Sequence, residues 1–184
     1  TFLEVAVWQN VYNRFLERSK ELGFTEIEVS DGTINIDLET RRELIGKAKT
    51  AGFKVISEVG KKDPNEKVAY ALMHEEIKND LEEGVFGVIV ESREAGRGVG
   101  IYDKEGKVIE DEIDAIISGV EDVNRLVWEA PIKSQQQYLI MRFGTNVNLG
   151  NLPPDEILAL EALRQGLRGD TLTRAYLESL GKNE

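Results

Sequence analysis

Four times along the chain a charged amphipathic stretch ends in glycine, and a β-branched run follows within a few residues. The glycines are Gly23, Gly52, Gly84 and Gly144, spaced 29, 32 and 60 residues apart, so the last interval holds two units of the same length. Glycine closes helices because it enters the left-handed conformation without penalty, so each unit reads as a helix feeding a strand. Strands are predicted over 26–30, 53–59, 86–91, 125–129 and 145–149. Helices are predicted over 8–22, 38–51, 68–83, 111–118, 135–142 and 154–165, with a last one at 172–180. Asp37 is the expected N-cap of the second helix, and Pro154-Asp155 is a good helix opening. Such alternation builds βαβ units and a parallel sheet. The periodicity fits an open doubly wound sheet and a (β/α)8 barrel equally well. A barrel takes roughly 250 residues. The chain has 184, so a barrel here would hold about its last five strands in one domain, 1–184, with the first three absent.

Composition narrows the chemistry. The net charge of −11 disfavours nonspecific binding to nucleic acid or to an anionic membrane. The sequence contains no run of 18 apolar residues, so no membrane span is expected. Without cysteine there is no disulfide, thiolate metal site or cysteine nucleophile. A cytoplasmic protein is the expectation. The first residue is Thr1 rather than Met, and an earlier start of the gene is expected. The single histidine, His74, lies on a charged helix and reads as a surface residue, so acid–base work falls to Lys, Glu or Asp. Trp8, Tyr12 and Phe15 have helical spacing and read as packing residues, as does Trp128 in its strand. Ser134 reads as an N-cap.

The strand ends carry the chemistry. They close on Glu28 and Asp31, on Glu58, on Glu91 and on Glu129, while the fifth strand carries Asn146 and Asn148. Parallel strands bring their C-terminal ends to one face, where α/β enzymes build their sites. Carboxylates inside apolar runs are costly unless paired, protonated or metal-bound. Four glutamates and two asparagines converging there suit a hard, oxygen-liganded cation such as Mg2+, and structural pairing with a neighbouring Lys or Arg is the competing reading. Lys61 and Lys62 stand just past the second strand; by the period-two rule Lys62 shares the face of Glu58 if the strand stays regular through Gly60. A lysine beside carboxylates and a metal can hold or donate a proton. Arg93 and Arg97, with Gly96, Gly98 and Gly100, form a basic loop suited to a phosphate or sulfonate, although a mobile hairpin neck accounts for the glycines as well. Residues 100–109 read as a β-hairpin turning at 103–106. Arg168, Gly169 and Asp170 form a second candidate anion loop, with an ordinary N-cap turn at Asp170 or Thr171 as the alternative.

In order, Glu28-Val-Ser-Asp-Gly32, Glu58-Val-Gly-Lys-Lys-Asp-Pro64, Glu91-Ser-Arg-Glu-Ala-Gly-Arg-Gly98, Ile101-Tyr-Asp-Lys-Glu-Gly-Lys107, Glu129-Ala-Pro-Ile-Lys-Ser-Gln-Gln136, Asn146-Val-Asn-Leu149 and Gly166-Leu-Arg-Gly-Asp-Thr171 cover nearly the whole chain. Together these motifs resemble the phosphosulfolactate synthase family. The resemblance implies a (β/α)8 barrel that adds sulfite to phosphoenolpyruvate with Mg2+, the step that opens coenzyme M synthesis in methanogens and leads to sulfolactate in some spore-forming bacteria. It implies Lys62, then Lys61, as proton donor with Glu58 in the catalytic set. Asp31, Glu58, Glu91 and Glu129 become the metal-ligand candidates. Arg93, Arg97, Asn146, Asn148, Arg168, Gly169 and Asp170 become the substrate-binding candidates. The resemblance also implies that members carry further residues before Thr1 and a longer loop after Lys62. A homo-oligomer is expected. Two other readings stay open: a non-catalytic, stress-related barrel, and a lyase or aldolase acting on another phosphorylated substrate.

Overall fold

The structure is a computed structural model that describes residues 2–61, 70–92 and 95–181. In chain order it contains α1 (Phe2–Trp8), α2 (Tyr12–Glu21), β1 (Glu26–Ser30), α3 (Leu38–Thr50), β2 (Lys54–Val59), α4 (Tyr70–Glu82), β3 (Gly87–Val90), α5 (Glu110–Ile117), β4 (Leu126–Glu129), α6 (Lys133–Phe143), β5 (Asn148–Gly150), α7 (Ile157–Arg164) and α8 (Gly169–Ser179).

The glycine punctuation does what the spacing predicts. Gly23, Gly52 and Gly84 all lie at positive φ. At each, the residue after the glycine donates back across the helix end, as in Phe24 N–H to Ser19 O at 3.0 Å and Phe53 N–H to Ala48 O at 3.1 Å. Asp37 caps α3, its Oδ1 accepting from Thr40 N–H at 2.8 Å.

The five strands pair in parallel in the order β1-β2-β3-β4-β5. That order argues against the doubly wound sheet. A doubly wound sheet reverses direction at a switch point, and this one never does. With every crossover right-handed, sequential order keeps the helices on one face. Burial agrees. Ile27, Val29, Val55, Ser57, Val59, Val88, Val90, Leu126 and Trp128 alternate along the strands and are all buried. Trp128 stacks on Phe143 of α6, with ring centroids 5.4 Å apart. The opposite face is open: Glu26, Glu28, Lys54 and Asn148 are exposed, and Ile56, Ile89 and Val127 half-buried. Near the strand starts it forms a cleft of about 870 Å³, lined by Lys54, Ile56, Phe86, Asn124, Val127 and Asn148 among others. A five-stranded singly wound sheet with one bare face is consistent with an arc of a barrel.

Three elements differ from expectation. The helix expected over 8–22 starts only at Tyr12, and the unexpected α1 precedes it, the two being separated by Asn10, which takes φ 55°. Val11 N–H reaches back to Ala6 O at 2.8 Å and Asn10 N–H to Val7 O at 2.9 Å, so asparagine does here what glycine does elsewhere. The fifth strand begins at Asn148 rather than 145, because Thr145 and Asn146 form the turn that leads into it. Helix α6 starts at Lys133, so Ser134 lies inside it and is not its cap. The hairpin stands, held by one antiparallel bridge, Tyr102 to Val108. Its turn closes through Gly106 N–H to Asp103 O at 3.0 Å. Among the described residues no helix is long and apolar enough to cross a membrane.

Candidate active site

The centre of the site is a pair of carboxylates. Val90 lies opposite Trp128 in the β3–β4 register, so Glu91 and Glu129 follow as neighbours at the C-terminal ends of their strands. Glu91 is buried and Glu129 half-buried. Glu129 Oε2 accepts from Ser92 N–H at 2.8 Å and from Asn151 Nδ2 at 3.4 Å. Burial, then the charge of Glu91, push the Glu129 carboxyl above its usual range, while the Ser92 N–H pulls the other way. Glu58, also buried, is on the same face one strand away, opposite Ile89.

The backbone packs tightly around Glu91. A Cβ on Gly60 would lie 3.1 Å from Glu91 Cβ, and one on Gly100 would lie 2.3 Å from Glu91 O. Buried Gln135 fixes the hairpin beside the pair. Its Nε2 donates to Gly96 O at 2.7 Å and Gly106 O at 3.0 Å, and its Oε1 accepts from Ile132 N–H at 3.1 Å. Tyr102 of the hairpin donates its hydroxyl to Glu129 O at 2.7 Å. Burial, then Glu129, raise the Tyr102 pKa, so it remains a donor.

Asp31 stands apart from the other acids. Its Oδ2 and its carbonyl oxygen accept from Lys61 Nζ at 2.6 and 2.7 Å, and its Oδ1 accepts from Arg41 Nη1 at 3.2 Å. Arg41 also forks onto Asp80, with Nε to Oδ1 at 2.9 Å and Nη2 to Oδ2 at 2.6 Å, and donates to Glu58 O at 2.9 Å. Burial opposes the Arg41 charge, and the Asp80 hydrogen bonds and charge outweigh it, so its pKa rises. Both carboxylate oxygens of Asp31 are thus engaged by cations. Among the described residues no group of three or more His, Asp or Glu side chains is arranged to hold a metal. The expected ring of acids reduces to the Glu91–Glu129 pair, with Glu58 beside it.

The remaining candidates separate. Lys62 and Arg93 lie outside the described residues. The face argument for Lys62 does not hold, because β2 ends at Val59 and Gly60 takes φ 112°, which breaks the alternation. Arg97 is exposed on the hairpin side. Arg168 precedes α8, whose first residue is Gly169. Asp170 lies in the first turn rather than at the cap and pairs with Lys133 Nζ at 3.2 Å and Arg168 Nε at 3.7 Å, so it is a counter-ion tying α8 to α6. Asn146 and Asn148 are at the wrong end of the sheet: Asn148 opens β5, donates to Asn124 O and lines the cleft at the strand starts. The amide that reaches the carboxylates is Asn151, just past β5. Sequence reading missed Asn151, Arg41, Asp80 and Gln135. The one signal for Asn151 was its place after Gly150 at the end of a strand-like run; Arg41 looked like any basic residue of a charged helix.

Comparison with known proteins fits this geometry. Residues 1–170 match the family described as (2R)-phospho-3-sulfolactate synthase (ComA). The chain belongs to the phosphosulfolactate synthase family. A phosphosulfolactate synthase of Methanocaldococcus jannaschii is 46% identical over 174 residues, 93% of this chain and 68% of that protein. One from Methanothermobacter thermautotrophicus is 42% identical over 182 residues, 96% of this chain and 69% of that protein. One from Bacillus subtilis is 41% identical over 175 residues, 93% of this chain and 68% of that protein. The chain is thus similar to a family of enzymes along almost its full length. A solved structure from Pseudomonas aeruginosa, titled as a dihydrodipicolinate synthetase, superposes with TM-score 0.52 at 16% identity, covering 89% of this chain and 50% of that one. At that identity the likeness is one of fold alone, with this chain spanning half the length of the solved one.

Proposed function

We propose that the protein, at the length its gene encodes, adds sulfite to phosphoenolpyruvate to give (2R)-phospho-3-sulfolactate, with Mg2+ as cofactor. The observation that carries this reading is the Glu91–Glu129 pair at the strand ends, in a chain that belongs to the synthase family. Two adjacent carboxylates repel unless a proton or a cation lies between them, and the charge of Glu91 adds to burial in raising the Glu129 pKa. Their hard oxygen donors suit Mg2+, with Glu58 next in reach along the same face. A cation held there supplies positive charge against the charge that builds on the substrate carboxylate.

In the reaction, the sulfur lone pair of sulfite forms a bond to the methylene carbon of phosphoenolpyruvate. The π electrons move toward the substrate carboxylate, and the middle carbon then takes a proton. Lys62 is the first candidate to deliver that proton and Lys61 the second. Lys61 Nζ is held by Asp31 through two hydrogen bonds, which places it for charge neutralisation or proton donation. The arginines Arg93, Arg97 and Arg168 are proposed to receive phosphate and sulfite. The eight-stranded closed barrel belongs to this reading and is supported by the sequential parallel sheet. An acidic chain without cysteine fits a cytoplasmic enzyme.

The test mixes the native-length protein with phosphoenolpyruvate, sulfite and Mg2+ and follows the phosphorus NMR spectrum. A new phosphate-ester resonance that requires both sulfite and metal is expected, and Lys62→Ala is expected to abolish it while phosphoenolpyruvate binding survives. A folded protein that leaves the spectrum unchanged would sink the reading.

A further inference from the structure

Four charged side chains from four consecutive parts of the fold form one continuous buried line. Asp80 sits on α4, Arg41 on α3, Asp31 just past β1 and Lys61 just past β2. The side chains of Arg41 and Asp80 are each 2% exposed, and that of Asp31 5%. Buried ion pairs are a poor source of stability, because well-packed apolar residues in their place are often neutral or better. A line this long, which also collects Glu76 at its side, calls for another reason. Burial, then the charge of Asp31, raise the Glu76 carboxyl, so the local excess of acid is already strained.

The geometry supplies the reason. Arg41 uses its rigid fork in three directions: both oxygens of Asp80, one oxygen of Asp31 and the main-chain oxygen of Glu58. No lysine could do this, since an ammonium is a point donor. Asp31, fixed on one oxygen by Arg41, turns the other oxygen and its carbonyl to Lys61. Two of the three Lys61 N–H bonds are thereby spent on a single residue, with the side chain 12% exposed. Among the described residues no partner takes the third N–H, which leaves it for an anion.

We infer that Asp80, Arg41 and Asp31 are positioning residues that act through Lys61, holding its ammonium at the end of β2 with one donor free for a substrate oxygen. The inference rests on the synthase reading for the identity of that substrate and on the geometry alone for the relay. The same fork ties the relay to β2, because the carbonyl it grips belongs to Glu58.

Two measurements on the native-length protein test it. The first is a double-mutant cycle on KM for phosphoenolpyruvate. Lys61→Met is expected to raise KM about tenfold, the loss of one charge-assisted hydrogen bond. Arg41→Lys is expected to raise KM severalfold alone and to add less than about twofold in the Lys61→Met background, because coupled residues are not additive. A merely structural Arg41 would give the same factor in both backgrounds, which overturns the relay. The second measurement needs no substrate. Acetic anhydride labelling, read by peptide mass spectrometry, is expected to modify Lys61 at least about tenfold more slowly than exposed Lys78, since Asp31 holds two of its N–H bonds and little of the side chain is accessible. Asp31→Asn and Arg41→Lys should each speed it. Equal rates for Lys61 and Lys78 in the parent protein overturn the relay. Should Arg41→Lys fail to melt cooperatively, Asp80→Asn takes its place in both arms. If the parent shows no sulfite-dependent product, the synthase reading falls and labelling alone decides the relay.

Discussion

Glu129 resists ionisation in the folded chain. Its folded pKa lies above the ordinary carboxyl value, first through burial and then through Glu91. A raised pKa means that the folded state binds the proton more tightly than the unfolded one. The stability from that proton is full below the ordinary carboxyl range and is lost as pH rises through the raised value. Glu129→Gln keeps the shape and removes the titration. In metal-free buffer the melting temperature of the variant should therefore exceed that of the parent by a margin that widens from pH 4 to 8. A margin independent of pH would show that Glu129 does not carry the repulsion. The carboxylates were legible in the sequence because an acid closing an apolar run is conspicuous. Arg41 was not, since its partner Asp80 is 39 positions away and nothing local marks either one.

At the scale of elements, helix–glycine–strand punctuation was enough to read β1, β2 and β3 to within about two residues, because backbone sterics at the glycine fix where the helix stops; β4 was read as closely without such a glycine. The misses at α2 and β5 differ in cause: Asn10 adopts the left-handed conformation that the reading reserved for glycine, whereas the Thr145-Asn146 turn consumes residues whose type is compatible with a strand. The hairpin shows how little room remains beside the carboxylates. Gly100 sits at φ 59°, and a Cβ there would meet Glu91 O at 2.3 Å. Gly100→Ala is expected to cost about 2–4 kcal/mol in urea melts, from strain and overpacking together. Gly98→Ala, also at positive φ but with its nearest neighbour the Lys104 side chain at 3.9 Å, should cost only about 1–2 kcal/mol. Equal losses for the two would mean that backbone conformation, not the approach to Glu91, sets the requirement for glycine.

For the whole molecule, the open face of the sheet is the feature to explain. Parallel sheets are normally covered on both sides, and here Ile56, Ile89 and Val127 stand half-buried, with no element among the described residues packed across from them. The relatives are longer, this chain matching about two thirds of each. Ile89→Lys therefore discriminates. In the 184-residue chain it should cost less than about 1 kcal/mol, as surface changes do, and in the chain at its relatives' length about 3 kcal/mol or more, as an unpaired buried charge does. Equal costs at both lengths would mean that no further strands close over this face. The sheet order has a historical consequence as well. Asp31, Lys61, Glu91 and Glu129 are delivered at or beyond the last rung of a ladder, past the valines and isoleucines that make the sheet cohere. Selection can therefore exchange one of those terminal groups without disturbing the rows behind it. A lineage built this way can try new reagents one strand tip at a time while its descendants keep folding.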